Sequence, residues 1–302
     1  VVRDGEGVPR RVPVALIDRV VLRADTRLSS NVLSGLAARG IGLLVLGGRG
    51  GHQVASVLGA PHGDVRRRIT QVRRLADAPF QSLWCRRLVA AKLIAQQRLL
   101  GEALERRPDQ RKALVPASRT LAACRLRLVE VEDLDALRGL EGAGAAAYFQ
   151  AYASLFAPSL GFASRRRRPP PDPVNAGLSL AYTLLHGLAV QACHVQGLDP
   201  MLGYLHRPSH GRASLACDLM EPWRPRVDGL IWRLFAERRL KAGHFGREAG
   251  GACLLNKEGR SVLYAAWAGE AQRICRDLQR AARLATGALG DLAPEFDSPM
   301  DA

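Results

Sequence analysis

Hydrophobic and polar positions change their spacing once along the chain, near residue 63. Before that point the apolar runs are short and rich in Val, Ile and Leu. VPVALIDRVVLRA (12–24) predicts one or two strands, and SSNVLSGLAARG (29–40) a short helix opened by Ser and stopped by Gly40. IGLLVL (41–46) predicts a buried strand, GGRGG (47–51) a turn, and VASVLG (54–59) a further strand. From Asp64 onward the apolar residues recur at helical spacing. A basic amphipathic run, DVRRRITQVRRLADAP, opens at Asp64, and a long helix follows from Phe80 to about Arg106. Further helices are predicted over 117–129, 132–138, 141–157, 174–196, 212–221, 226–240 and 260–286. The tail 291–302 is acidic, carries two prolines and is expected to fray. The pattern therefore predicts an α+β chain: a small N-terminal β-rich domain (1–63) followed by a larger all-α domain (64–302).

Three stretches could be misread. The apolar run 178–193 is interrupted by Ser179, Thr183 and His186, so it reads as a buried core helix and not as a bilayer span. GGRGG matches neither phosphate-loop pattern, since GxGxxG and GxxxxGK[ST] cannot be written through it. Arg165 to Arg168, followed by three prolines, form a stiff basic linker, either solvated or in contact with phosphates.

Charge narrows the partner. Of 302 residues, 44 are Lys or Arg against 28 Asp or Glu, a formal net charge of +16, which calls for a polyanion: nucleic acid or an anionic surface. The chain has four lysines, the remaining basic residues being arginine. That ratio fits bidentate phosphate recognition and biased codon usage equally. The six cysteines are widely spaced, with no CxxC pair and no leader, as in reduced thiols of a cytoplasmic protein. The first residue is Val1, so either processing removed a start or the sequence is a segment of a longer chain.

One constellation breaks the apolar pattern. In ASLACDLME, Ser214, Asp218 and Glu221 stand at i, i+4 and i+7, one stripe of a helix, and His206 precedes them by a short glycine-containing loop. Upstream, Glu141 opens a predicted helix of small residues, EGAGAAAYFQAY. One imidazole with two or three carboxylates suits Mg2+ or Mn2+. HRPSH offers the alternative of a zinc pair, His206 and His210, and a solvated acidic face with a satisfied loop histidine is the plain alternative to both.

GLEGAGAAAYF (139–149), RRRRPPPDPVNAGLSLAYTLL (165–185) and GLDPMLGYLHRPSHGRASLACDLMEPWRP (197–225) together resemble the CRISPR-associated protein one family, the integrase/endonucleases that insert spacers into CRISPR arrays. The likeness extends to HGDVRRRITQVRRL, KLIAQQRLL and HFGREAGGACLLNKEGRSVLYAAW, and so spans about the whole chain. The resemblance implies an N-terminal domain used for dimerisation and a helical catalytic domain. It implies Glu141, His206 and Glu221 as metal ligands, and Asp218 beside them in the catalytic set, as a group supporting the ligands or an accessory one. Tyr148, Asn175, Arg224, Arg165, Arg166, Arg167 and Arg168 fall at positions implied to face DNA. The basic pattern adds Arg66 to Arg68, Arg73, Arg74, Arg86, Arg87, Lys92, Lys257 and Arg260 as candidate phosphate contacts. The implied partners are spacer and repeat DNA, a second copy of the chain, and a small adaptation protein in a four-plus-two assembly. A fused or associated reverse transcriptase is also found in the family, and no membrane is implied.

Overall fold

A computed structural model describes residues 13–14, 17, 19–22, 27–47, 53–60, 62–248 and 250–290. The chain divides into two units, Val1–Asp64 and Val65–Ala302.

In the first unit, β1 (Arg19–Leu22) pairs in parallel with β2 (Gly42–Gly47), and α1 (Ser30–Ala37) makes the crossover between them. Parallel strands need such a connection because a tight turn can only reverse the chain. The helix ends where Gly40 takes φ +65°, a conformation that costs glycine little. β3 (Gln53–Val57) then pairs antiparallel with β2, Leu43 opposite Val57. Leu36, Ile41 and Leu43 form this unit's core, with Ile17, Val20 and Leu22 packed against it. Residues 48–52, most of the predicted glycine turn, lie outside the described residues, as does the tail 291–302.

The second unit is a helical assembly: α2 (Arg66–Arg74), α3 (Ala78–Arg106), α4 (Arg111–Arg127), α5 (Leu134–Ala153), α6 (Pro173–Val195), α7 (Ser214–Met220), α8 (Arg224–Ala236) and α9 (Lys257–Ala288). Four of these helices share one start signal. Asp77, Asp133, Asp172 and Asn256 each accept a hydrogen bond from the main-chain N–H three residues on, at 2.8–3.0 Å. An Asx side chain at that position satisfies one of the four orphan donors of a helix start. 

Two expectations change. The segments 132–138 and 141–157 form one continuous helix, α5, so Glu141 lies in its middle and does not open it. One of the small residues that follow Glu141 does admit a close approach: a Cβ on Gly144 would stand 2.7 Å from Leu93 Cδ2 of α3. The helical unit also contains a short hairpin, β4 (Phe245–Arg247) with β5 (Cys253–Leu255), docked through Cys253 N to the Pro170 carbonyl at 2.8 Å. Strands of three residues are too short to show an alternating pattern.

α6 is the central helix. It has 23 residues, and an 18-residue stretch of it with a mean hydropathy of 1.3 is long and apolar enough to cross a bilayer, longer than the uninterrupted run in the sequence suggests. Its surroundings decide its role: 72% of that stretch is buried inside the protein.

Candidate functional site

Two close approaches assemble the site. At Gly144, α5 meets α3 closely enough to bring Glu141, one turn earlier, to Lys92, the neighbour of Leu93. At Gly203, a Cβ would lie 2.5 Å from Ser214 C and 2.8 Å from Leu215 N, so glycine lets the loop 203–207 lie on the start of α7. The polar stripe of α7 then engages that loop. Ser214 Oγ donates to the Arg207 carbonyl at 3.2 Å. Asp218 Oδ2 accepts from Tyr204 N and Leu205 N at 2.7 and 3.0 Å, and Oδ1 accepts from His206 N at 2.9 Å and pairs with His206 Nδ1 at 2.6 Å. Ser214, Asp218 and Glu221 are all buried, which excludes a solvated acidic face. His210 is exposed on the following turn and takes no part, so the zinc pair is not formed.

Glu141, His206 and Glu221 are gathered from α5, the loop and the end of α7. His206 Nε2 lies 3.9 Å from Glu221 Oε1. Lys92 Nζ bonds Glu141 Oε1 and stands 2.6 Å from Glu221 Oε2, while Arg224 Nε stands 2.8 Å from Glu221 Oε1. Glu221 is thus flanked by a cation on each of its oxygens, Lys92 on Oε2 and Arg224 on Oε1. Burial alone would push the Glu221 carboxyl up, but Arg224, Lys92 and His206 outweigh it and hold it at about 2. Burial pulls Lys92 down, and the two glutamates more than restore it. The two glutamates thus share an ammonium, with the imidazole beside the other oxygen of Glu221. Among the described residues no group of three His, Cys, Asp or Glu side chains is arranged to hold a metal ion.

The remaining candidates divide. Tyr148 is corrected from a DNA contact to a core residue. It is fully buried, and its hydroxyl donates to Asp228 Oδ2 at 2.7 Å. Tyr182 bonds the other oxygen of Asp228, and Tyr152 the Asp228 carbonyl at 2.8 Å, so three tyrosines of α5 and α6 hold one acid of α8. Burial pushes Asp228 up to about 6, opposed by the Tyr182 and Tyr148 hydrogen bonds. Asp228 therefore adds most to stability below its unfolded value of 3.8, and that contribution declines as pH rises through about 6. Tyr148→Phe should cost about 1–3 kcal/mol, the desolvation penalty of the deserted acceptor, and leave DNA affinity within twofold. Thermal unfolding with a DNA titration checks this; weakened DNA binding at unchanged stability would return Tyr148 to the DNA face.

Asn175 is likewise corrected: fully buried, it donates to the Ser164 carbonyl at 2.9 Å and accepts from Arg166 N at 2.8 Å, shaping the arginine linker from inside. Asp218, expected beside the ligands as a supporting or accessory group, has both of its oxygens committed to the loop 204–206. Arg165 and Arg224 stack on Tyr182 at 5.3 and 4.7 Å from the ring centroid. Arg166, Arg167, Arg168 and Lys257 are exposed, as are Arg73 and Arg87. Arg260, half-buried, donates to the Leu255 carbonyl at 2.6 Å. Arg67, Arg74 and Arg86 donate to main-chain carbonyls of Gln196, Leu289 and Val129, so they serve packing. Lys92, expected among surface phosphate contacts, is buried at the site's centre. A lysine inside the apolar run LVAAKLIA was the signal for it; Asp228 had none beyond its place in a helix start.

A sequence model described as CRISPR associated protein Cas1 matches residues 1–269. The CRISPR-associated endonuclease Cas1 1 of Thermodesulfovibrio yellowstonii is 34% identical over 283 residues, 88% of this chain and 87% of that one. The CRISPR-associated endonuclease Cas1 2 of Rhodospirillum rubrum is 39% identical over 281 residues, 88% of this chain and 79% of that one. Among solved structures, a CAS1 protein from Thermotoga maritima superposes with a TM-score of 0.78 at 21% identity, over 95% of this chain and 91% of that one. A casposase bound to integration product gives 0.76 at 18% identity, over 93% and 82%. A chain of a Cas6-RT-Cas1–Cas2 complex gives 0.78 at 21% identity, over 95% of this chain and 32% of that one. At such identities the structures share the fold, while the matched sequence length and the named relatives carry the assignment: this chain belongs to the CRISPR-associated protein Cas1 family.

Proposed function

We propose that the protein is a metal-dependent DNA integrase of CRISPR adaptation, joining a 3′-hydroxyl DNA end to a phosphodiester of the CRISPR repeat. One observation carries the reading: Glu141 and Glu221, separated along the chain, share a single cation, the Lys92 ammonium, and the His206 ring lies 3.9 Å from the other oxygen of Glu221. Two carboxylates and an imidazole are a donor set for Mg2+ or Mn2+. Such an ion, when bound, supplies Lewis-acid stabilisation of charge building at the phosphodiester and lowers the pKa of the attacking hydroxyl.

The chain's own groups prepare that site. Asp218 ties down His206 Nδ1 and leaves Nε2 facing Glu221, which sets ring orientation and tautomer together. Arg224 fixes Glu221 from the side and keeps it ionised. Arg166, Arg167, Arg168 and Lys257 are the exposed cations available to phosphates. In strand transfer the donor 3′ oxygen forms a new phosphate ester as the target's bond to its own 3′ oxygen breaks, and the proton passes from attacker to leaving group. Water as attacker gives hydrolysis at the same centre, a second reading supported by the endonuclease names of the relatives.

A homodimer made through the N-terminal unit, and a small adaptation partner in a four-plus-two assembly, complete the proposal. The likeness to a Cas6-RT-Cas1–Cas2 chain supports such a partner and an associated reverse transcriptase. Supercoiled target, a 3′-hydroxyl donor and Mn2+ provide the test. Joined product is expected, shortened DNA alone would favour hydrolysis, and no metal-dependent change in either DNA would overturn both.

A further inference from the structure

Lys92 is an unusual residue for its place. Its side chain is 10% exposed, sits in the middle of α3 between buried Val89, Leu93 and Gln96, and makes ion pairs to both glutamates of the site. A buried ammonium is costly unless its charge is matched, and here two carboxylates match it. The glutamates have the converse requirement. Glu221, 4% exposed, keeps Arg224 and the His206 ring beside it, whereas Lys92 is the cation recorded against Glu141. Without a cation between them, two carboxylates brought together by the Gly144 contact would repel. The site is therefore built to hold a positive charge, and in its metal-free form the chain supplies that charge itself.

We infer that Lys92 is an exchangeable internal cation: it holds Glu141 and Glu221 in place before metal arrives, competes with the metal for them, and yields them when it binds. This rests on reading Glu141, His206 and Glu221 as the metal-holding set. Its consequence is that Lys92 sets the metal affinity, and that metal entry releases an ammonium beside the phosphodiester. A merely structural lysine would have no such effect, since its removal would loosen the site and weaken metal binding.

The opposing signs make the test. Mn2+ binding to the full chain, followed by the EPR signal of the free ion, is compared for wild type, Lys92→Met, Lys92→Gln and Glu141→Ala, with thermal unfolding of each with and without Mn2+. The neutral Lys92 variants should bind Mn2+ on the order of tenfold tighter, as when a competing state holding about nine-tenths of the population is removed. Without metal they should melt below wild type, and Mn2+ should restore them by more than it adds to wild type. Binding that is equal or weaker in both Lys92 variants, while Glu141→Ala still abolishes it, overturns the Lys92 inference and leaves the metal site standing. Mn2+ binding unaffected by Glu141→Ala, or absent from all four proteins, overturns the metal site and the inference with it. Should the Lys92 variants not fold, wild type alone decides through amine-directed labelling read by peptide mass spectrometry. Lys92 should be protected without metal and labelled several-fold faster with Mn2+, and equal protection in both states counts against exchange.

Discussion

Glu141→Ala is expected to lower strand transfer by about a thousandfold, with the fold intact. The figure follows from the several kcal/mol that Lewis-acid stabilisation contributes to a phosphoryl transition state, at about 1.4 kcal/mol per factor of ten. Glu141 is the informative ligand to remove because its side chain is 26% exposed and sits in mid-helix, where alanine is favourable. Glu221→Ala should inactivate to a similar extent but also destabilise. It deserts the buried Arg224, and stripping one partner from a buried pair costs about 3–5 kcal/mol. Transfer of a labelled 3′-hydroxyl oligonucleotide into supercoiled plasmid measures the first effect, thermal unfolding the second. DNA affinity should persist in Glu141→Ala, because the proposed phosphate contacts are the exposed arginines 166–168, and a carboxylate adds no attraction for a phosphate. Near wild-type transfer by a folded Glu141→Ala protein would remove this residue from the chemistry.

The elements were largely legible in the sequence, because hydrophobic periodicity reports burial and Asx residues report helix starts. α3, α6 and α9 fall close to their predicted spans, and strands β2 and β3 do so as well. What the one-dimensional pattern misreads is a boundary. It splits 132–138 from 141–157, where one helix runs through, and the small residues after Glu141 serve at Gly144 to seat α5 on α3. The acids of the site were visible as polar interruptions of apolar runs, and the family resemblance supplied roles for them.

The roles of individual polar residues were less legible. Tyr148, Asn175 and Lys92 sit in blocks rich in functional residues, yet each turned out to be buried. Nearness in sequence to a ligand places a residue on the same helix, but the helix face decides whether it meets solvent or core. Tyr148 is seven residues from Glu141 and so on a similar face, one level deeper, where the partner is Asp228 and not a phosphate. Deciding that requires knowing where α8 packs, a long-range fact that spacing within α5 does not carry.

Asp218 is where fold and chemistry depend on the same atoms, and two substitutions should separate them. Asp218→Ala strands three main-chain N–H groups and the His206 ring nitrogen in a buried place. A loss of about 3–5 kcal/mol is expected, a large part of the 5–15 kcal/mol typical of a domain, so this variant should be recovered poorly if at all. Asp218→Asn keeps the volume but turns an amide N–H2 toward at least one of those donors. It should fold with a lowered melting temperature and lose about 10- to 100-fold in Mn2+ affinity, the usual cost of freeing a metal-binding histidine from its orienting carboxylate. If the acid acts through the ring, then in a His206→Ala background the same substitution should cost stability yet add little to the loss of metal binding, a coupling that a double-mutant cycle reads directly. Fully additive losses would mean that Asp218 reaches the reaction by a route other than His206, and wild-type affinity in the single variant would mean that it supports the loop alone.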